Sequence, residues 1–192
     1  MKGIPRSGWL SHHISLQDIE SVADHTFSTC VLSMLLADLE SKRGVQIDAE
    51  KVLRMAILHD LAESLTFDIS RAYLEYMGPK GEAMKREIER TAWQHIAEGI
   101  KEPGLAREYR NLQNQYVADK SNETKIVHAA DSMDILLQVV NYERRGYPST
   151  LLSNLWNERV KMVRHSDVPS AQVILKLIIG EKGKLSAKGR IT

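Results

Sequence analysis

The stretch Ile57-Leu58-His59-Asp60-Leu61-Ala62-Glu63 decides how the rest of the chain is read. Apolar residues lead into an adjacent His-Asp pair. Upstream, Val52, Met55, Ala56 and His59 recur at helical spacing, which predicts a helix begun by Asp48 with His59 on its inward face. Asp60 follows in the same apolar context. A carboxylate buried without a partner costs several kcal/mol, so it needs a cation or several donors. An imidazole nitrogen beside a carboxylate oxygen suits a divalent metal, with bonds of about 2.0–2.2 Å.

Two adjacent ligands do not complete a site. Ser21, with Asp24 three residues on, predicts a capped helix in which Val22, His25, Thr29, Leu32, Leu36 and Leu39 share a face, ended by Gly44. His25 lies on that apolar face. Ser121 predicts another capped helix, with Ile126, Ala129, Ala130, Met133, Leu136, Leu137 and Val140 as its stripe and Gly146 at its end; Asp131 interrupts the stripe. Two histidines and two aspartates from three helices leave positions for water and a substrate oxygen. Asp131 pairing with Lys125 or Arg144, and Asp134 as a rival ligand, are the alternatives.

The remaining segments predict more helices. One short helix spans 71–76, stopped by Gly78-Pro79, and a long one spans about 81–100. Another lies between Pro103-Gly104 and about residue 119, and one spans 151–163. A last helix capped by Asp167 ends at Gly180. The stretch before Asp18 reads as irregular, and 63–70 as a loop or helix end. The expected fold is all-α: a single-domain compact helical bundle over 1–180, with a basic, frayed tail at 181–192.

Composition narrows the function classes. Apolar residues make up 43% of the 192, which suits a globular core. Twenty-six Lys and Arg balance 25 Asp and Glu, so no global charge favours nucleic acid or an anionic membrane. The one cysteine, Cys30, reads as a small core residue. No segment approaches a membrane span and the N-terminus lacks a signal-peptide run, so cytoplasm is expected.

The order His25, His59-Asp60, Asp131 resembles that of the HD-domain metal-dependent phosphohydrolase superfamily, and within it the YfbR-type 5'-deoxynucleotidase branch. The likeness covers roughly residues 4–145. It includes Ile4-Pro5-Arg6-Ser7-Gly8-Trp9, Glu20-Ser21-Val22-Ala23-Asp24-His25, His59-Asp60-Leu61-Ala62-Glu63 with Asp68-Ile69, and Asn141-Tyr142-Glu143. The resemblance implies an HD-type helical domain with His25, His59, Asp60 and Asp131 as metal ligands. It implies Glu63 and Asp68 as the acidic groups that handle the proton of the attacking water, Arg6 as a phosphate contact and Trp9 as an aromatic neighbour of the sugar. The implied reaction is hydrolysis of deoxynucleoside 5'-monophosphates with one divalent transition metal (Mn, Co, Zn, Ni or Fe) in a homodimer. This chain has His12-His13 where such relatives tend to carry an Arg-Asn pair. A two-metal site of this family carries extra histidines between the His-Asp pair and the last Asp; only His95 and His128 lie in that interval here, and they read as exposed or as neighbours of the ligands, which argues for one metal. Hydrolysis of a triphosphate, a cyclic nucleotide or guanosine tetraphosphate is the alternative activity, and a non-catalytic nucleotide-binding module is the alternative from another class.

Overall fold

The computed structural model describes residues 1–118 and 120–188. Its regular structure among those residues is helical: a short 3-10 helix at Ser7–His12, then α1 (Val22–Lys42), α2 (Ala49–Leu58), α3 (Glu63–Thr66), α4 (Arg71–Tyr76), α5 (Pro79–Glu98), α6 (Pro103–Ala118), α7 (Asn122–Arg144), α8 (Ser149–Arg164) and α9 (Pro169–Lys188). None of these helices is long and apolar enough to cross a membrane.

Local chemistry sets most of the boundaries. Ser21 and Asp24 form a reciprocal capping box: the Ser21 amide donates to Asp24 Oδ2 at 2.9 Å and the Asp24 amide to Ser21 Oγ at 3.2 Å. Asp48 accepts from the Lys51 amide at 3.0 Å, and Ser121 from the Thr124 amide at 3.3 Å. Gly44 (φ 87°) and Gly146 (φ 96°) take the left-handed backbone that follows α1 and α7.

The described residues gather into two compact units. The first comprises 1–27 and 57–118. In it α5 packs against α3, α4 and α6. Its buried residues include Ile4, Trp9, Val22, Leu58, Trp93 and Leu112. Gly81 permits α5 to approach α4 closely, because a Cβ there would collide with the Leu74 carbonyl. The second unit comprises 28–56 and 120–188, with α7, α8 and α9 packed on one another. Met55, Ile126, Met133, Leu136, Tyr142 and Leu152 are buried there.

Several expectations are corrected. The stretch before Asp18 is not irregular throughout. It carries the 3-10 helix and an isolated antiparallel bridge between Pro5 and Ser21. The 63–70 stretch opens with one helical turn, α3. Cys30 is only half-buried. Asp167 does not cap α9; it pairs with Lys125 at 2.9 Å, and the Ser170 amide donates instead to the buried Glu40 carboxylate at 2.7 Å. Gly180 does not end α9. Arg144 pairs with Glu181 at 3.0 Å, and Lys182 pairs with Glu143 while sitting 4.7 Å over the Trp156 ring. These contacts hold the helix beyond the glycine, so the expected frayed tail is helical to Lys188; its last residues, 189–192, lie outside the described residues.

Candidate metal centre

Three side chains of the first unit converge. His25, one turn into α1, is fully buried, and His59 lies just past the end of α2 with its ring enclosed. Their Nε2 atoms are 3.2 Å apart. Asp60 Oδ2 lies 3.4 Å from His25 Nε2 and 3.2 Å from His59 Nε2. Two neutral imidazoles cannot both accept along one contact, and at most one proton fits between the two Nε2 atoms. Nitrogen lone pairs and a carboxylate oxygen aimed at one point form the donor set of a divalent metal, so these residues fit one.

The N-terminal segment brings a cation to the same point. The Arg6 amide donates to Glu20 O at 3.0 Å and the Val22 amide to Ile4 O at 2.8 Å, fixing the segment beside the start of α1. Arg6 Nη1 then donates to Asp60 Oδ2 at 2.9 Å and stands 3.6 Å from Glu63 Oε2. Burial works against the Asp60 charge. His59, Arg6 and the His25 hydrogen bond outweigh it and hold the carboxyl well below the usual carboxylate range.

Glu63 is the opposite case. It opens α3 and is buried, and its Oε2 has no hydrogen-bond partner. Burial first, then the Asp60 charge and that of Asp68, raise its pKa to about 8 against the pull of Arg6 and Lys85. Two carboxyls at consecutive corners of one turn are thus driven apart, one firmly ionised and one ready to carry a proton near neutral pH. That is the division expected of an acid–base site.

An HD-domain family model matches residues 1–169. The chain belongs to the HD domain family. The 5'-deoxynucleotidase HDDC2 of Danio rerio is 30% identical to it over 152 residues, which cover 79% of this chain and 69% of that protein. A conserved hypothetical protein from Pyrococcus furiosus is 30% identical, with a TM-score of 0.75 over 92% of each chain. An HD-domain phosphohydrolase from Listeria innocua shares the fold at 18% identity, with a TM-score of 0.69 over 85% of this chain and 76% of its own.

Of the residues expected at this HD site, the first unit brings together Arg6, His25, His59, Asp60 and Glu63. Asp68 is half-buried, its charge reaches Glu63, and its carbonyl accepts from Ser7 Oγ at 2.5 Å. Trp9 is 4% exposed, and its Nε1 donates to Glu20 Oε1 at 2.9 Å. Its polar edge is therefore spent within the protein. Asp131 is half-buried on α7, in the second unit. Lys125 and Arg144, the partners weighed for it, pair with Asp167 and Glu181. Asp134 is buried, and His95 and His128 are exposed.

Sequence reasoning missed two residues of the centre. Tyr116 of α6 stands edge-on to the His59 ring, with centroids 5.8 Å apart. Glu20 accepts from Trp9 Nε1, and one of its carboxylate oxygens lies within 4.8 Å of a His25 ring nitrogen. Glu20 stands inside the quoted motif and was readable as more than a helix-flanking acid. Tyr116 had only its helical register with Leu112 to signal it.

Proposed function

We propose that this chain hydrolyses deoxynucleoside 5'-monophosphates to a deoxynucleoside and inorganic phosphate. The reading rests on one observation above the others: a buried Glu63 carboxyl, one oxygen of which makes no hydrogen bond and faces Arg6 at 3.6 Å, stands beside the His25–His59–Asp60 donor set. The nucleotidase activity named for the HDDC2 relative supports the substrate class.

His25, His59 and Asp60 would hold the metal, with Asp131 as the fourth ligand that the sequence resemblance supplies. The mixed nitrogen and oxygen set suits Mn, Co, Zn, Ni or Fe. When bound, such an ion supplies Lewis acidity to water and to a phosphoryl oxygen. Arg6 offers a planar fork to the phosphate, in a position where it already bonds a carboxylate oxygen. Glu63, kept protonated near neutral pH by burial first and then by the charges of Asp60 and Asp68, gives that proton to the leaving 5' oxygen, and Asp68 takes the proton of the attacking water. Trp9 holds Glu20 and, with it, the segment that carries Arg6.

The test is phosphate release from a panel of deoxynucleotides, ribonucleotides and triphosphates by chelator-treated protein reloaded with each metal. Monophosphate turnover is expected, abolished in Asp60→Ala and reduced about 10²–10⁴-fold in Glu63→Gln with metal binding retained. Full activity in metal-stripped protein, or in Asp60→Ala, would sink the reading. Pyrophosphate or triphosphate as the product would move it to the alternative HD activities.

A further inference from the structure

Two non-glycine residues among those described have positive φ. His13 takes an ordinary left-handed turn at φ 60°, ψ 26°. Phe67 differs: its φ of 58° is combined with a ψ of 166°. That region is essentially reserved for glycine, because a Cβ there collides with the chain's own backbone. Burial does not explain a phenylalanine at this point, since it is 65% exposed.

The neighbours hold the backbone in place. Thr66 Oγ1 donates to the Phe67 carbonyl at 3.1 Å and to the Ala62 carbonyl at 3.2 Å. One residue on, the Asp68 carbonyl receives Ser7 Oγ, from the segment that carries Arg6. Phe67 therefore separates the two acidic residues of the candidate site, one position before Asp68 and four after Glu63. Strain of this kind persists where the surrounding structure over-determines it, and it clusters at active sites and ligand clamps.

We propose that Phe67 is the platform on which the substrate's base stacks. The proposal rests on the nucleotide reading above and adds to it the residue that recognises the base. The phosphate and sugar end is served by charged groups, whereas a base needs an apolar face, and Phe67 offers one beside Asp68. A ring face accepts every base, so the residue favours base-bearing phosphates over bare sugar phosphates without choosing strongly among the bases.

Two constants test it in the metal-loaded protein: KM for deoxyadenosine 5'-monophosphate, and the inhibition constant of 2-deoxyribose 5-phosphate against its hydrolysis. Phe67→Ala and Phe67→Gly should raise KM about tenfold, the loss of one base–aromatic stack. The inhibition constant of the base-less compound should stay within about twofold, because it has no base to stack. Phe67→Tyr should keep the wild-type KM. Phe67→Gly should melt no lower than wild type, since glycine adopts this backbone freely. An unchanged KM in both truncations, a parallel rise in both constants, or a lower melting temperature for Phe67→Gly would overturn the proposal. If the wild-type protein does not hydrolyse deoxyadenosine 5'-monophosphate at all, it is the nucleotidase reading that falls.

Discussion

Glu63 is the residue whose charge state decides most. In the unfolded chain its carboxyl titrates near the ordinary value of 4.5, whereas in the fold its pKa is raised to about 8. Between those values the folded protein binds a proton that the unfolded chain has released. Stability from this group is therefore fully present below about pH 4.5 and is lost as pH rises through about 8. The loss should reach the order of a few kcal/mol once Glu63 ionises. Chelator-treated Glu63→Gln should thus melt increasingly above wild type from pH 5 to pH 9, with the two curves converging at the acid end. Melting temperatures across that range check it; a difference independent of pH would show that Glu63 is not held protonated. Asp60 pulls the other way, because its lowered pKa gives stability that is present at neutral pH and lost on acidification.

At the scale of elements, what was legible followed from how far each signal reaches. The Ser21–Asp24 box, Asp48 and Ser121 act within three residues, and each caps its helix as the spacing implies. The start of α9 was misread because its cap, Glu40, lies 130 residues away in sequence. Gly180 was misread as a stop for a similar reason, since Glu143, Arg144 and Trp156 anchor the helix beyond it from α7 and α8. The site follows the same rule. His25, His59, Asp60 and Glu63 carry motif spacing, while Tyr116 meets His59 only through tertiary packing. The Ser21 box has a consequence for the site, because His25 sits on the first turn that the box starts. Ser21→Ala should cost about 1 kcal/mol in urea denaturation, and Asp24→Ala a similar amount. Metal affinity should fall with them if fraying of that turn moves His25. A Ser21→Ala protein as stable as wild type would show that tertiary contacts alone hold the start of α1.

For the whole molecule, the metal is expected to act on the folding equilibrium as well as on catalysis. Without an ion, two enclosed imidazoles and a carboxylate face one another within 3.4 Å, with Arg6 as the compensating cation. A donor set arranged this way exists only in the folded chain, so an ion that binds it stabilises the fold by mass action. At a free concentration about a hundred times the dissociation constant the gain is about 2.7 kcal/mol. For a chain of this size each kcal/mol moves Tm by about 2–4 °C, so the shift should be roughly 5–10 °C. It should vanish in His25→Ala, His59→Ala and Asp60→Ala, each of which removes a donor. It should survive in Glu63→Gln, which removes a proton carrier and leaves the donors intact. Asp131→Asn decides the ligand that rests on the sequence resemblance: loss of the shift assigns Asp131 to the metal, and a full shift removes it from the ligand set. The opposite pattern, with the shift retained in His59→Ala and lost in Glu63→Gln, would place the ion on Glu63 and break the link between the His-Asp pair and the chemistry.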